Sequence, residues 1–193
     1  MRAPADRLFF TGDDEANRLL AADPLALLIG FVLDQQVTVQ KAFSSPLELK
    51  RRLGSLDAET IAGLETNELE RIFAERPALH RFPGAMARRV QELCRALVSE
   101  YDGRAERVWQ DAHDARDLRR RLLALPGVGD MKARSLLAVL AKRLDVRLDG
   151  WDDVLPSHPT LGDVDSAQAL EDYQSAKRAH KAALRAGAVE PPA

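Results

Sequence analysis

Apolar residues recur three and four positions apart along most of this chain, and no alternating run of Val, Ile, Thr and Tyr is long enough to predict a strand. The pattern therefore predicts an all-α protein. Asp23-Pro24 combines a capping side chain with a proline at a first helical turn, and Leu25, Leu28, Ile29, Val32 and Leu33 follow as an apolar stripe. Shorter helices are expected at 45–53, 57–63 and 66–75. Pro83-Gly84 opens another, with Met86, Val90, Leu93, Leu97 and Val98 facing inward and Gly103 ending it. Asp114 or Asp117 caps a helix through Leu118, Leu122 and Leu123, and 131–144 forms the next, packed by Leu136, Leu137, Val139 and Leu140. Residues 149–165, broken by Pro156, Pro159 and Gly162, read as an ordered loop or short turns. A last helix spans about 166–186, and 187–193 reads as a frayed tail. With no internal repeat, one unit over 1–186 is expected, with room for two lobes and a cleft between them.

Composition narrows this picture. A chain of 193 residues with 46% hydrophobic and 30% charged residues buries a sizeable core. The single cysteine, Cys94, excludes an intramolecular disulfide, a four-cysteine iron–sulfur cluster and a multi-cysteine zinc site; on its apolar helix face it reads as a small hydrophobe. No cofactor or metal is expected. Met1 to Asp6 lacks an apolar stretch, and the longest uncharged run, Pro24 to Leu33, has 10 residues where a membrane span needs about 20. The expectation is a cytoplasmic monomer, nucleoid-associated if prokaryotic, with no membrane partner. A net charge of −2 argues against a strongly basic nucleic-acid binder. Yet residues 116–147 hold nine Lys or Arg against three Asp, a local net of +6, which is either an attractive surface for an anion or an ordinary solvated face.

The chemistry concentrates in the middle of the 118–144 segment. In Leu125-Pro126-Gly127-Val128-Gly129, between two leucine-rich helices, glycine permits positive φ and close approach of the backbone. The next helix begins with unpaired N–H groups and a positive dipole end, an arrangement that favours phosphate. A plain helix C-cap needs only one glycine.

This run, followed by Asp130-Met131-Lys132-Ala133, resembles the helix-hairpin-helix DNA glycosylases, the superfamily of endonuclease III and of the adenine, 8-oxoguanine and alkylpurine glycosylases. In that family an aspartate follows in a Gly/Pro-rich loop, and Leu148-Asp149-Gly150 supplies one here; the adenine glycosylases carry Leu-Asp-Gly at that place. The resemblance implies that Asp149 is the acid that stabilises oxocarbenium character when a flipped base is released. It implies DNA contacts at Pro126, Gly127, Val128, Gly129, Lys132 and Arg134. Upstream, Leu33-Asp34-Gln35-Gln36-Val37-Thr38 resembles the loop that fills the gap left by a flipped nucleotide, with Gln36 the better match and Gln35 next. The implied partner is double-stranded DNA containing a damaged or mismatched base.

The chain departs from the pattern in two respects. Members that also cut the strand place a nucleophilic lysine two positions after the last glycine; here Met131 stands there and cannot form a Schiff base. Lys132, about 100° further round, should not point into the same site and reads as a phosphate contact or a solvated charge. After Asp149 the run Gly150-Trp151-Asp152-Asp153-Val154-Leu155-Pro156 lacks both the cluster cysteines and the family's usual continuation. The implied activity is base removal without strand cleavage; the alternatives are a DNA-binding protein that kept the hairpin and lost the chemistry, or a helical interaction module. Trp151 and Met131 are candidates for a base pocket, while Trp109 reads as core. His80, His113, His158 and His180 have no metal-ligand spacing and read as surface or loop residues.

Overall fold

The computed structural model describes residues 4–185, and all regular secondary structure among them is helical. Ten α-helices run α1 Asp14–Ala22, α2 Pro24–Leu33, α3 Val39–Leu53, α4 Ala58–Gly63, α5 Thr66–Ala74, α6 Pro83–Tyr101, α7 Arg107–Gln110, α8 Ala115–Ala124, α9 Asp130–Lys142 and α10 Ala167–Arg185. Short 3-10 turns lie at Trp151–Asp153 and Leu161–Asp163.

The axis of the molecule is α2. Asp23 starts it by accepting hydrogen bonds from the N–H groups of Leu25 and Ala26, and every residue from Leu25 to Leu33 is buried. The stripe expected on one face is thus a helix apolar all round, which is stable only inside a core. Each fully buried Leu or Ile contributes about 2 kcal/mol before entropy is charged. Helices α1, α3 and α6 pack around it, with α4 and α5 on α6. The buried residues form one cluster reaching from Leu8 to Leu170. Among the described residues no single helix is long and apolar enough to cross a membrane.

Sequence and structure differ in three places. Helix α1 is an addition: its buried stripe is Ala16, Asn17 and Leu20, and the polar Asn17 hides the period. Asn17 is satisfied by Thr11, whose N–H it accepts at 3.0 Å and whose carbonyl it donates to at 3.1 Å. Helix α3 starts at Val39 rather than 45, because Thr38 caps it and Pro46, which looks like a first-turn proline, lies inside it. Helix α7 is one short turn that carries the buried Val108 and Trp109. The tail at 187–193 and the side chain of His180 lie outside the described residues.

Beyond α9 the chain folds back over its own helix. A Cβ on Gly162 would sit 2.5 Å from the backbone of Ala138, so only glycine lets the 161–163 turn lie flat on α9. Lys142 adds an ion pair to Asp163 at 2.6 Å. This return delivers α10 to the side of the molecule where α3 begins.

Candidate DNA interface

Helix α8 stops at Leu125, whose carbonyl accepts the Val128 N–H at 3.2 Å. Gly127 has φ +82°, and a Cβ there would meet Arg89 at 3.1 Å and Val32 at 3.2 Å. The turn therefore requires glycine at 127 for conformation and for room. Gly129 is different. It is the N-cap of α9 with φ −88°, nothing lies within 4 Å of its would-be Cβ, and no side chain caps the helix there. Its smallness serves no contact within the protein and leaves the first N–H groups of α9 open to an external acceptor.

The first turn of α9 also carries Asp130. Arg119 at 2.6 Å and Arg134 at 2.8 Å flank it, and the Arg119 hydrogen bond leads the effects that hold its carboxyl below the usual range. The pairing repeats along the basic segment apart from Lys132 and Arg143, neither of which meets a carboxylate within 4.0 Å among the described residues. Arg116 meets Asp153 at 3.1 Å, Arg120 and Arg121 share Asp117 at 2.8 and 3.0 Å, and Arg147 meets Asp145 at 2.7 Å. A cleft of about 710 Å³ between α8, α9 and residues 153–158 is lined by Arg116, Arg119, Arg120 and Arg134, each already in an ion pair. Counting Asp153 and Asp163 with the segment's own three aspartates, five carboxylates face its nine cations, so a net of +4 remains although most of the cations are individually paired. Arg134 is one of these rather than a free phosphate contact.

Lys132 corrects another expectation. Its ammonium is turned inward and donates to the carbonyls of Val32 at 2.9 Å and Gly127 at 3.2 Å, because that face of α9 lies against the end of α2. Burial pulls it below its ordinary value, with the charge of Asp34 opposing. It ties the hairpin to the residues that precede the glutamine loop. Met131 is 75% exposed at the start of α9, an unusual place for a large apolar side chain.

At the other end of that tie, Asp34 ends α2 and its N–H bonds back to Gly30 at 3.0 Å. Burial pushes its carboxyl above the ordinary value against the pull of Lys177 and Lys132. Gln35 and Gln36 follow, both exposed, and Gln36 sits at φ +56°. A non-glycine residue there is strained by roughly 1 kcal/mol, so the surrounding structure must hold the loop. His80 is what holds it. The Phe82 N–H donates to Nδ1 at 3.0 Å, which leaves the proton on Nε2 to donate to the Gln35 carbonyl at 2.9 Å. His80 lies in the loop between α5 and α6, as expected, but at 1% exposure it is buried rather than on the surface, and burial holds it below its ordinary value, aided by the nearby charges of Lys41 and Arg81. Phe82, 42% exposed, stands beside it with the Arg81 guanidinium 4.7 Å from its ring centre. Sequence reading missed His80, Arg81 and Phe82. The only signal was an exposed aromatic after a basic residue before a Pro-Gly helix start.

Asp149 is exposed, and its carboxylate has no hydrogen-bond partner among the described residues. Its carbonyl accepts the Ala115 N–H at 2.9 Å, which places its main chain at the start of α8. The turn lies at the other end of that helix, whose ten residues span about 15 Å. Trp151 is half-buried and packs on the core, as does the buried Trp109. Cys94 is fully buried, and burial pushes its thiol up to about 12, fitting its reading as a hydrophobe. Among the described residues no three His, Cys, Asp or Glu side chains converge as metal ligands.

A helical protein whose glycine hairpin caps an open helix N-terminus, tied to a strained glutamine loop, belongs by architecture to the helix-hairpin-helix class. The family can be stated more narrowly: residues 29–150 match the HhH-GPD superfamily base excision DNA repair protein model, so the chain belongs to that superfamily. No curated protein and no solved structure matches it. The matched segment opens within α2 and closes at Gly150, so it holds the glutamine loop, the hairpin and Asp149 and leaves out α10.

Proposed function

We propose that this chain is a monofunctional DNA N-glycosylase, hydrolysing the N-glycosidic bond of a damaged or mispaired base and leaving an abasic site. The observation that carries the reading is the hairpin: Gly127 is required by the fold, Gly129 is not, and the open helix start beside it suits a backbone phosphate. The exposed Gln36 is then the side chain that fills the vacated stack, with Gln35, Phe82 and Arg81 alongside. Asp149 is the ionised acid that stabilises positive charge on the sugar as the base departs; its unpartnered carboxylate supports that role. Met131 offers no amine, so the sugar left in the strand when the base departs is attacked at C1′ by water rather than held as a Schiff base. Trp151 and Met131 are the pocket candidates. The protein would work as a cytoplasmic monomer without a cluster.

The test is incubation with duplexes carrying uracil, alkylated purines or oxidised bases, followed by alkali to cut abasic sites. Alkali-dependent cleavage of at least one duplex is expected, with Asp149→Asn reducing it by about 100-fold or more while DNA binding persists. Equal cleavage by Asp149→Asn removes the assigned acid. A second reading, DNA binding without base release, is favoured by one observation, the anchoring of the Asp149 main chain at the end of α8 remote from the turn. It predicts salt-sensitive duplex binding and no cleavage of any duplex.

A further inference from the structure

Helix α10 lies outside the family-matched segment yet returns to the glutamine loop. Its amide Gln174 and the amide of Gln40, in the first turn of α3, exchange hydrogen bonds at 2.7 and 3.2 Å. Leu170 is buried and Tyr173 half-buried against the core, and one turn further on Lys177 and Arg178 are exposed. Among the described side chains of α10 beyond Tyr173, none belongs to the core cluster. In sequence, residues 173–189 carry Lys177, Arg178, Lys181 and Arg185 and no acidic residue.

The cations near this docking point differ from those of α8 and α9. None of Lys41, Arg81, Lys177 and Arg178 meets a carboxylate within 4.0 Å among the described residues. Arg178 bonds only the hydroxyl of Ser175, at 3.0 Å, and Lys177 rests 5.7 Å from the ring centre of Tyr173. Lys41 and Arg81 both lie near His80, which holds Gln35, while Lys177 lies near Asp34, one residue before it. Lys41, Arg81 and Lys177 therefore bring charge to one loop from three segments, and Arg178 adjoins Lys177 on α10.

We propose that the exposed half of α10 is a DNA-backbone arm, laid beside the Gln35–Gln36 loop so that Lys177 and Arg178 take phosphates flanking the nucleotide that the loop displaces. The assignment rests on the reading that this loop faces duplex DNA. Polyanion is the occupant that the charge calls for, since unpaired cations on one rim gain by releasing counterions from the duplex.

The experiment is fluorescence anisotropy of the full chain with a labelled undamaged duplex over a series of salt concentrations. Replacing both Lys177 and Arg178 by Ala is expected to weaken binding about tenfold at moderate salt and to reduce the slope of log affinity against log salt by about 2, near 0.9 for each phosphate contact. The pair Lys177→Arg with Arg178→Lys keeps the wild-type slope. Salt-dependent binding by wild type with an unchanged slope in the alanine pair overturns the arm and leaves the glycosylase reading intact. Loss of slope in the charge-conserving pair also overturns it, because charge is then not what the helix contributes. Absence of salt-dependent duplex binding by wild type overturns both readings.

Discussion

The α8–α9 face and the rim around the glutamine loop differ in what their cations are for. On α8 and α9 each of these arginines meets an aspartate of its own helix, of the facing helix or of the 151–153 turn, so the individual charges are paired within the protein although a positive excess remains. Around the loop the cations come from α3, the turn before α6 and α10, and they meet rings, a hydroxyl or solvent instead of carboxylates. A run of basic residues in sequence marks a helix whose charges can pair at i, i+3 and i+4; a basic rim is assembled from segments far apart. Local charge counting therefore does not tell paired cations from free ones.

Substitutions can break or sharpen that contrast. The largest effect is expected from Lys132→Met, which leaves the Val32 and Gly127 carbonyls without their donor. Chemical denaturation should show a loss of about 2 kcal/mol, and duplex affinity should fall with it. An unchanged midpoint would mean that hairpin and loop are not coupled through this side chain. Gly127→Ala comes next, at about 1 to 2 kcal/mol, because it forces an alanine to positive φ against Val32 and Arg89.

Acid should act on the loop through His80. The buried His80 is neutral in the fold and takes a proton less readily there than in the unfolded chain, so its contribution is complete above about pH 6.5 and is lost progressively as pH falls below it. Denaturation midpoints at pH 5 and 7.5 should differ more in wild type than in His80→Gln. Gly129→Ala should change stability by less than about 0.5 kcal/mol yet weaken duplex binding several-fold, since only an external ligand needs that space. Smallest of all, Arg120→Ala should leave duplex affinity within about twofold, as its charge is already committed to Asp117. A large loss there would reverse the assignment of the two faces.

Much of the helical order was legible because caps and apolar periods are local. Asp23-Pro24, Pro83-Gly84 and Asp114 each start a helix where the sequence placed one. The start of α3 was not legible, because the helix begins at the Thr38 cap and runs on through Pro46. The hairpin was legible for the same reason as the caps, as five consecutive residues carry it. His80 was not, because its role depends on a carbonyl 45 residues away. Lys132 was misread because its direction is set by α2, a hundred residues earlier, and α9's own pattern holds no trace of it.

The bridge made by Lys132 has a mechanical consequence. One ammonium fastens the last turn of α2 and the glycine turn together, so the hairpin proposed to grip a phosphate and the glutamine loop proposed to enter the duplex are held to each other. The two behave as jaws of a caliper with a fixed opening. Such a gauge responds to how far a nucleotide can be drawn from its backbone before it responds to which base that nucleotide carries, and this makes deformability of the damaged site the first property the protein would sense.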